Sequence, residues 1–336
     1  MMNYDTSKNV VVLGIAEVFT HVSATDSTNA CQYPNVIIHD GLTGSVVGIA
    51  SQVKKIMGHV NPVFFTGDDA AGALVSHLAK ANFKGKESCL RNLTATVRST
   101  IQANSKVISG TALKDDTLPE ESMLLIKNAS GTIVGPLPAG LYELVVRVLD
   151  AASSSYLMLS QEQLQDPGLC LDLGKRATLV VCTEQQLAQL TGCTEVIKGV
   201  QWVREREVKN ILVLSSTEAI GFIDGHWVHV PGYVHLEDTK IPTADLFDCF
   251  VGTLAAVHIE DRPVTDAIGL ALAAVAIKSD GTPLTADLKQ LQQESRKRKP
   301  MPLQLPQRPR KMTLALQSAS LASSLLIGVT LGSLLG

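Results

Sequence analysis

The alternation of apolar runs with turn residues sets out the plan of this chain. Residues 10–15, Val-Val-Val-Leu-Gly-Ile, are almost continuously apolar and broken only by Gly14, as expected of a strand covered on both faces. A mostly polar stretch, 20–35, precedes a short strand at Val36-Ile37-Ile38. Gly41, Gly44 and Gly48 then lead into a helix whose apolar face carries Val53, Ile56 and Met57. Residues 62–78 read as a strand, a turn at Gly67-Asp68-Asp69 with Gly72, and an amphipathic helix, the repeating unit of a doubly wound sheet. On that helix His77 has no partner at metal spacing and is expected at the surface or in the core.

Residues 94–108 alternate apolar and polar positions, the pattern of a strand with one exposed face. Lys114-Asp115-Asp116 reads as a solvated loop. From 141 onward helix and strand alternate again. Leu141, Leu144, Val145, Val148 and Leu149 have the helical period, and strands are expected at 156–159, 177–181 and from 211. Residues 238–257 read as a loop carrying Asp245 and Asp248 that opens into a helix through Phe250, Leu254 and Val257, with Pro242 as the upstream breaker. Residues 266–278 form an Ala-rich helix. The expected class is α/β, with one large domain over 1–290.

Composition adds three constraints. With 336 residues, 45% apolar and 18% charged, the chain can bury a substantial core. Residues 1–294 hold 22 basic against 32 acidic side chains, a net of −10, which argues against nucleic acid as the partner of the folded domain. The cysteines at 31, 89, 170, 182, 193 and 249 form no Cys-x-x-Cys pair and the N-terminus lacks a signal pattern, so free thiols in a reducing, cytoplasmic compartment are expected. No metal-ligand cluster is expected.

The C-terminus differs in kind. Residues 291–311 are expected to be a basic, proline-rich linker, since Glu294 to Lys311 holds four prolines and seven basic residues. Residues 312–336 carry no charge. As a helix they would span about 37 Å, enough for a bilayer core of about 30 Å, and Gly328, Gly332 and Gly336 would form a face suited to helix pairing or a homo-oligomer. A membrane anchor is one expectation; a tail packed on the domain or on a helix partner is the other.

The 238–257 stretch carries candidate chemistry. A helix start presents unpaired N–H groups that hold an anion, and an aspartate there can take a proton from a hydroxyl. The structural alternative is that Asp245 or Asp248 caps a buried helix. Asp248-Cys-Phe-Val-Gly-Thr-Leu resembles the Asp-x-Phe-x-Gly-x-Leu segment of the PfkB/ribokinase family of sugar and nucleoside kinases. The resemblance covers about 10–285. It implies a ribokinase-like doubly wound sheet with helices on both faces and a small β lid, built here from 94–108 and 122–134.

The same resemblance implies roles for particular residues. Asp248 would be the catalytic base, while Asp245, Leu246 and Phe247 stand where the family has the Gly-Ala-Gly anion hole. Gly44 fits the Gly-Gly…Asn sugar-binding element, whose asparagine position falls on Gly48 or Ile49. Gly67-Asp68-Asp69 with Gly72 is similar to the family's Gly-x-Asp-x-x-Gly element. Aligned on Leu190-Thr191-Gly192, Thr183 and Gln186 replace the Asn and Glu that organise Mg²⁺ and phosphate, and an amide cannot supply the missing charge. Glu184 is the nearest carboxylate, and helix geometry directs it elsewhere. Gly221 matches the second glycine of the loop that covers ATP, with Ser216 or Thr217 at the first. The 266–278 helix is like the one beside the adenine, or is purely structural.

Two functions follow. One is an ATP- and Mg²⁺-dependent kinase acting on a sugar or nucleoside hydroxyl; the other is a catalytically reduced relative that works as a binding or structural subunit, at a membrane or in an assembly. Four family elements have changed together, and losing several groups that act as one unit leaves little catalysis.

Overall fold

A single strand shows how the molecule is layered. In β1 (Val10–Ile15), Val10 and Val12 belong to one apolar core and Val11 and Leu13 to another on the opposite face. The computed structural model describes residues 8–24, 36–83, 88–93, 96–102, 105–109, 117–281, 288–298 and 300. All lie in a unit that runs from Met1 to Met301; a second unit, Pro302–Gly336, lies outside the described residues.

In chain order β1 is followed by β2 (Glu17–Ala24), β3 (Val36–Thr43), α1 (Ser45–Met57), β4 (Asn61–Gly67), α2 (Ala70–Asn82), β5 (Ser88–Leu93), β6 (Arg98–Gln102) and β7 (Ser105–Ser109). Next come α3 (Glu120–Lys127), β8 (Gly131–Val134), α4 (Tyr142–Ala151), β9 (Ser155–Met158), α5 (Pro167–Arg176), β10 (Leu179–Thr183), α6 (Glu184–Thr191) and α7 (Val196–Arg204). The last are β11 (Ile211–Leu214), β12 (Glu218–Ile223), β13 (His226–Pro231), α8 (Thr243–His258), α9 (Val264–Ser279) and α10 (Leu288–Lys297).

The central sheet has nine strands in the order β13-β12-β11-β10-β9-β8-β1-β4-β5. From β5 to β11 the pairing is parallel, and β12 and β13 extend it antiparallel. The chain winds outward from β1 in one direction through β4 and β5, then returns to β8 and winds the other way. This reversal opens a crevice at the carboxyl end of β1. Helices α1, α2, α8, α9 and α10 cover one face. Helices α3 to α7 cover the other. The fold is the expected α/β doubly wound sheet with helices on both faces.

A separate four-stranded sheet, order β3-β2-β6-β7, is the small lid. Its composition corrects the expectation. Residues 94–108 contribute β6 and most of β7, but the remaining strands are β2 and β3, and 122–134 is not part of it. Pro119 stands at the N-cap of α3, with Glu120 and Glu121 in the first turn and Ser122 and Ile126 buried four apart, so this stretch is helical. Gly131–Val134 is buried throughout and joins the central sheet. The polar stretch expected over 20–35 begins inside β2, and 25–35 lies outside the described residues. The loop at 114–116 lies outside them as well.

The domain boundary expected at 290 falls inside α10. Leu288 and Leu291 are buried in the core, so this stretch is a packed helix and not the start of an extended linker. Cys89, Cys170, Cys182, Cys193 and Cys249 are free thiols. Cys31 and the tail 312–336 lie outside the described residues, among which no helix is long and apolar enough to cross a membrane.

Candidate functional site

Helix α8 is the element on which the site is built. Every residue from Leu246 to Val257 is buried, a helix apolar nearly all round and packed between α1 and α9. Two glycines allow α1 and α8 to approach closely. A Cβ at Gly252 would lie 2.9 Å from the Ile49 carbonyl oxygen, and one at Gly48 would lie 3.0 Å from Asp248 Oδ2. The Gln52 amide, itself buried, donates to Thr253 Oγ1 at 2.9 Å across the same seam. This packing holds Asp248, which is 6% exposed, against α1.

Asp248 borders a cavity of about 400 Å³. Gly44, Ser45, Gly48 and Ser51 line it from the start of α1, Glu17, Leu42 and Thr43 from the lid strands, and Ala244, Asp245 and Lys278 from α8 and α9. The structure therefore brings Gly44, Gly48, Asp245 and Asp248 together. Gly44 precedes α1 at φ 104°, a left-handed backbone value that suits glycine, and a side chain there would press on the Ile15 carbonyl and Glu17. The Ser45 hydroxyl donates to Asp248 Oδ1. Lys278 Nζ donates to the Asp245 carbonyl at 2.7 Å.

Burial pushes the Asp248 carboxyl up to about 7, and the charge of Asp245 adds to the rise. The Ser45 hydrogen bond and the Lys278 ammonium oppose it. Near neutral pH the carboxyl thus exists in both forms, and it can accept a proton from a ligand hydroxyl or donate a hydrogen bond to one. Asp245 and Asp248 lie inside α8. The N-cap is Pro242, so neither aspartate caps the helix.

The positions that match the family's anion hole, read from the sequence as a lost cradle, are engaged within the helix. The amides of Asp245 and Leu246 both donate to the Pro242 carbonyl, at 3.0 and 3.2 Å. Leu246 and Phe247 turn their side chains into the core and do not line the cavity. The helix starts at Thr243, so the amides expected to hold a phosphate already belong to its hydrogen-bonded ladder.

The positions expected to hold Mg²⁺ and nucleotide are occupied by structural bonds. Thr183 and Gln186 form a capping box at the start of α6: the Thr183 amide donates to Gln186 Oε1 at 2.9 Å, and the Gln186 amide donates to Thr183 Oγ1 at 3.2 Å. Gln186 Nε2 also donates to the Leu159 carbonyl at 3.0 Å. Glu184, expected to point elsewhere, accepts from the Ser215 hydroxyl at 2.7 Å. Ser216 and Thr217 form the turn between β11 and β12, where their carbonyls accept from Leu236 N at 2.9 Å and Gly232 N at 2.8 Å. Gly221 lies within β12 and not in a covering loop. A Cβ there would meet the Ile211 carbonyl at 2.3 Å, so its glycine serves strand packing. The cavity at this turn measures about 10 Å³ between Tyr233, Leu236, Leu272 and Val275.

Among the described residues no group of three His, Cys, Asp or Glu could hold a metal ion. With both of their side chains engaged in the capping box, Thr183 and Gln186 do not fit a Mg²⁺ site as they stand. The Gly67-Asp68-Asp69 turn is structural too. Asp69 caps α2 through the Gly72 amide at 2.8 Å and accepts from the Thr96 amide and hydroxyl at 3.1 and 2.6 Å, which ties the lid's entry to the central sheet. Sequence reasoning missed Ser45, Lys278, Glu17, Thr43 and Ser51. Ser45 follows the singled-out Gly44, and that adjacency was the one available signal; Lys278 closes a helix read only for its small residues.

No family model and no curated protein matches the sequence. Solved structures do match it over most of its length. A ribokinase from Arabidopsis thaliana complexed with ribose and ATP is 17% identical, with 86% of this chain and 99% of that chain covered and a TM-score of 0.64. A ribokinase from Thermotoga maritima is 15% identical over 86% and 99% of the two chains, at a TM-score of 0.66. A carbohydrate kinase from Agrobacterium tumefaciens is 14% identical over 87% and 98%, also at 0.66. At these identities the likeness shows the fold, which is ribokinase-like.

Proposed function

We propose that this ribokinase-like chain binds a small polyhydroxyl compound, a sugar or nucleoside, in the cavity at Asp248, and that it has no effective phosphoryl transfer. One observation carries the reading: Asp248, buried against α1, borders a cavity of about 400 Å³. That volume suits a compact ligand. Its lining of Asp248, Asp245, Ser45, Ser51 and Thr43 offers the acceptors and hydroxyls that pair with ligand hydroxyl groups. The Arabidopsis neighbour, complexed with ribose and ATP, supports the sugar class. On the other side, the Thr183–Gln186 capping box and the helical bonds of Asp245 and Leu246 support the absence of a working phosphate cradle.

A second reading, ATP-dependent transfer to the bound hydroxyl, is favoured by one observation. The Asp248 carboxyl titrates near 7 beside the cavity, where a general base would work. Calorimetry of the full chain with pentoses and with adenosine separates the two. The binding reading expects saturable heat from a sugar or nucleoside without nucleotide, weakened at least about tenfold by Asp248→Asn. Absence of saturable binding to any of them, or binding that Asp248→Asn leaves unchanged, overturns it. Product formation that requires Mg-ATP and disappears in Asp248→Asn would put the kinase reading first.

A further inference from the structure

We propose that the cavity between α9 and α10 is a binding site for a phosphate group, separate from the cavity at Asp248. It measures about 320 Å³ and is lined by Arg262 and Arg296, by the hydroxyls of Thr265 and Ser295, and by Gln292. Neither arginine has a carboxylate partner among the described residues. The ion pairs of this region go instead to Arg298, which meets Asp280 and Glu294, and to Lys297, which meets Glu294. Asp266 also borders the cavity, without reaching either guanidinium at ion-pair distance among the described residues.

The Arg262 fork is held in place. With the Gln292 amide turned so that its oxygen faces the arginine, that oxygen accepts from both terminal guanidinium nitrogens, at 2.9 and 3.2 Å. A guanidinium has five N–H donors, so the remainder are left for a ligand. Ser295 is held through the Tyr233 hydroxyl at 3.1 Å. The cavity floor is bare: Gly269 lies inside α9, and a Cβ added there would meet nothing within 4 Å. Glycine in a helix interior is less favourable than alanine, and here no packing requires it. An open approach for a bulky group accounts for it.

The donor set selects the ligand. Two guanidinium forks with two hydroxyls match the several acceptor oxygens and double charge of a phosphate better than the single edge of a carboxylate. Thr265 lies in the first turn of α9, whose positive end adds to the attraction. The phosphate has two chemical sources: a soluble phosphate ester, or the headgroup of an anionic lipid.

The test uses the full chain with inorganic phosphate, and with phosphatidylcholine vesicles with and without phosphatidylglycerol. The variants are Arg262→Ala with Arg296→Ala, and Gly269→Leu, which fills the cavity and keeps every charge. Saturable phosphate binding by calorimetry that falls at least about tenfold in both variants supports a soluble ester as the source. Cosedimentation confined to phosphatidylglycerol vesicles and lost in both variants supports the headgroup. Circular dichroism checks the fold, and Gly269→Leu alone suffices if the double arginine variant fails to fold. If neither probe binds, or if binding persists in Gly269→Leu, the attraction is general charge and the proposal falls.

Discussion

Two regions of this molecule lie at the carboxyl ends of strands in one sheet and are built differently. At the end of β1, the approach of α1 to α8 leaves a cavity with a buried carboxyl beside it. At the ends of β10 and β11, the corresponding segments are a capping box and a turn whose carbonyls accept from Gly232 and Leu236. The backbone topology is the same for both. What differs is how the polar groups at the strand ends are satisfied. Around Asp248 several of them line a cavity, whereas the Thr183 and Gln186 side chains and the Ser216 and Thr217 carbonyls bond to other parts of the protein.

The largest expected effect tests whether the packed half stands apart from the open one. Leu236 is 8% exposed and belongs to the core beneath the β11–β12 turn. Leu236→Ala should cost about 2–4 kcal/mol in urea unfolding while sugar affinity changes by less than about twofold, as expected of sites without shared contacts. A parallel loss of sugar affinity would break the comparison by showing that the two halves are coupled.

A smaller effect sharpens the open half. The Asp248 carboxyl titrates at about 7 in the folded protein, above the unfolded range. The unfolded chain therefore releases this proton first, and Asp248 lowers stability progressively as pH rises from about 4 to about 7. Asp248→Asn should be more stable than the parent above pH 7 by on the order of 1–3 kcal/mol, with the difference vanishing towards about pH 4. The same variant should bind sugar less well. Opposite changes in stability and binding are the mark of a carboxyl kept for a ligand; a variant less stable at every pH would contradict it.

The smallest effect belongs to the capping box. Thr183→Ala removes the side-chain acceptor for the Gln186 amide and should cost about 1 kcal/mol. Sugar affinity should not move, since Thr183 does not line the cavity at Asp248. Thermal unfolding and calorimetry on the same sample check both statements.

Much of the fold was legible because periodicity reports burial directly. The apolar run of β1, the strand–turn–helix unit of β4 and α2, and the Ala-rich helix α9 all formed as their patterns require. Asp248, Gly44 and Gly48 were legible through motif spacing. The lid was read less well, since the mixed apolar and polar sequence of β2 carries a weak pattern, and the acidic start of α3 is the sign of its helix. The Thr183–Gln186 pair was legible on other grounds: Thr-x-x-Gln before an apolar helix is a capping signature, and the resemblance drew attention to metal chemistry in its place. Lys278 had no local signal, and Ser45 had only its place after Gly44. Ser45 meets Asp248 across 203 positions of sequence, through the packing of α1 on α8, which no window along the chain contains.

The central claim is that the acceptor half works without the nucleotide half. Calorimetric titration of the bound sugar or nucleoside, with and without saturating Mg-ATP, tests it most directly. The account predicts one affinity under both conditions and no heat from Mg-ATP alone. Saturable Mg-ATP binding, or sugar affinity that rises tenfold or more in its presence, would contradict it.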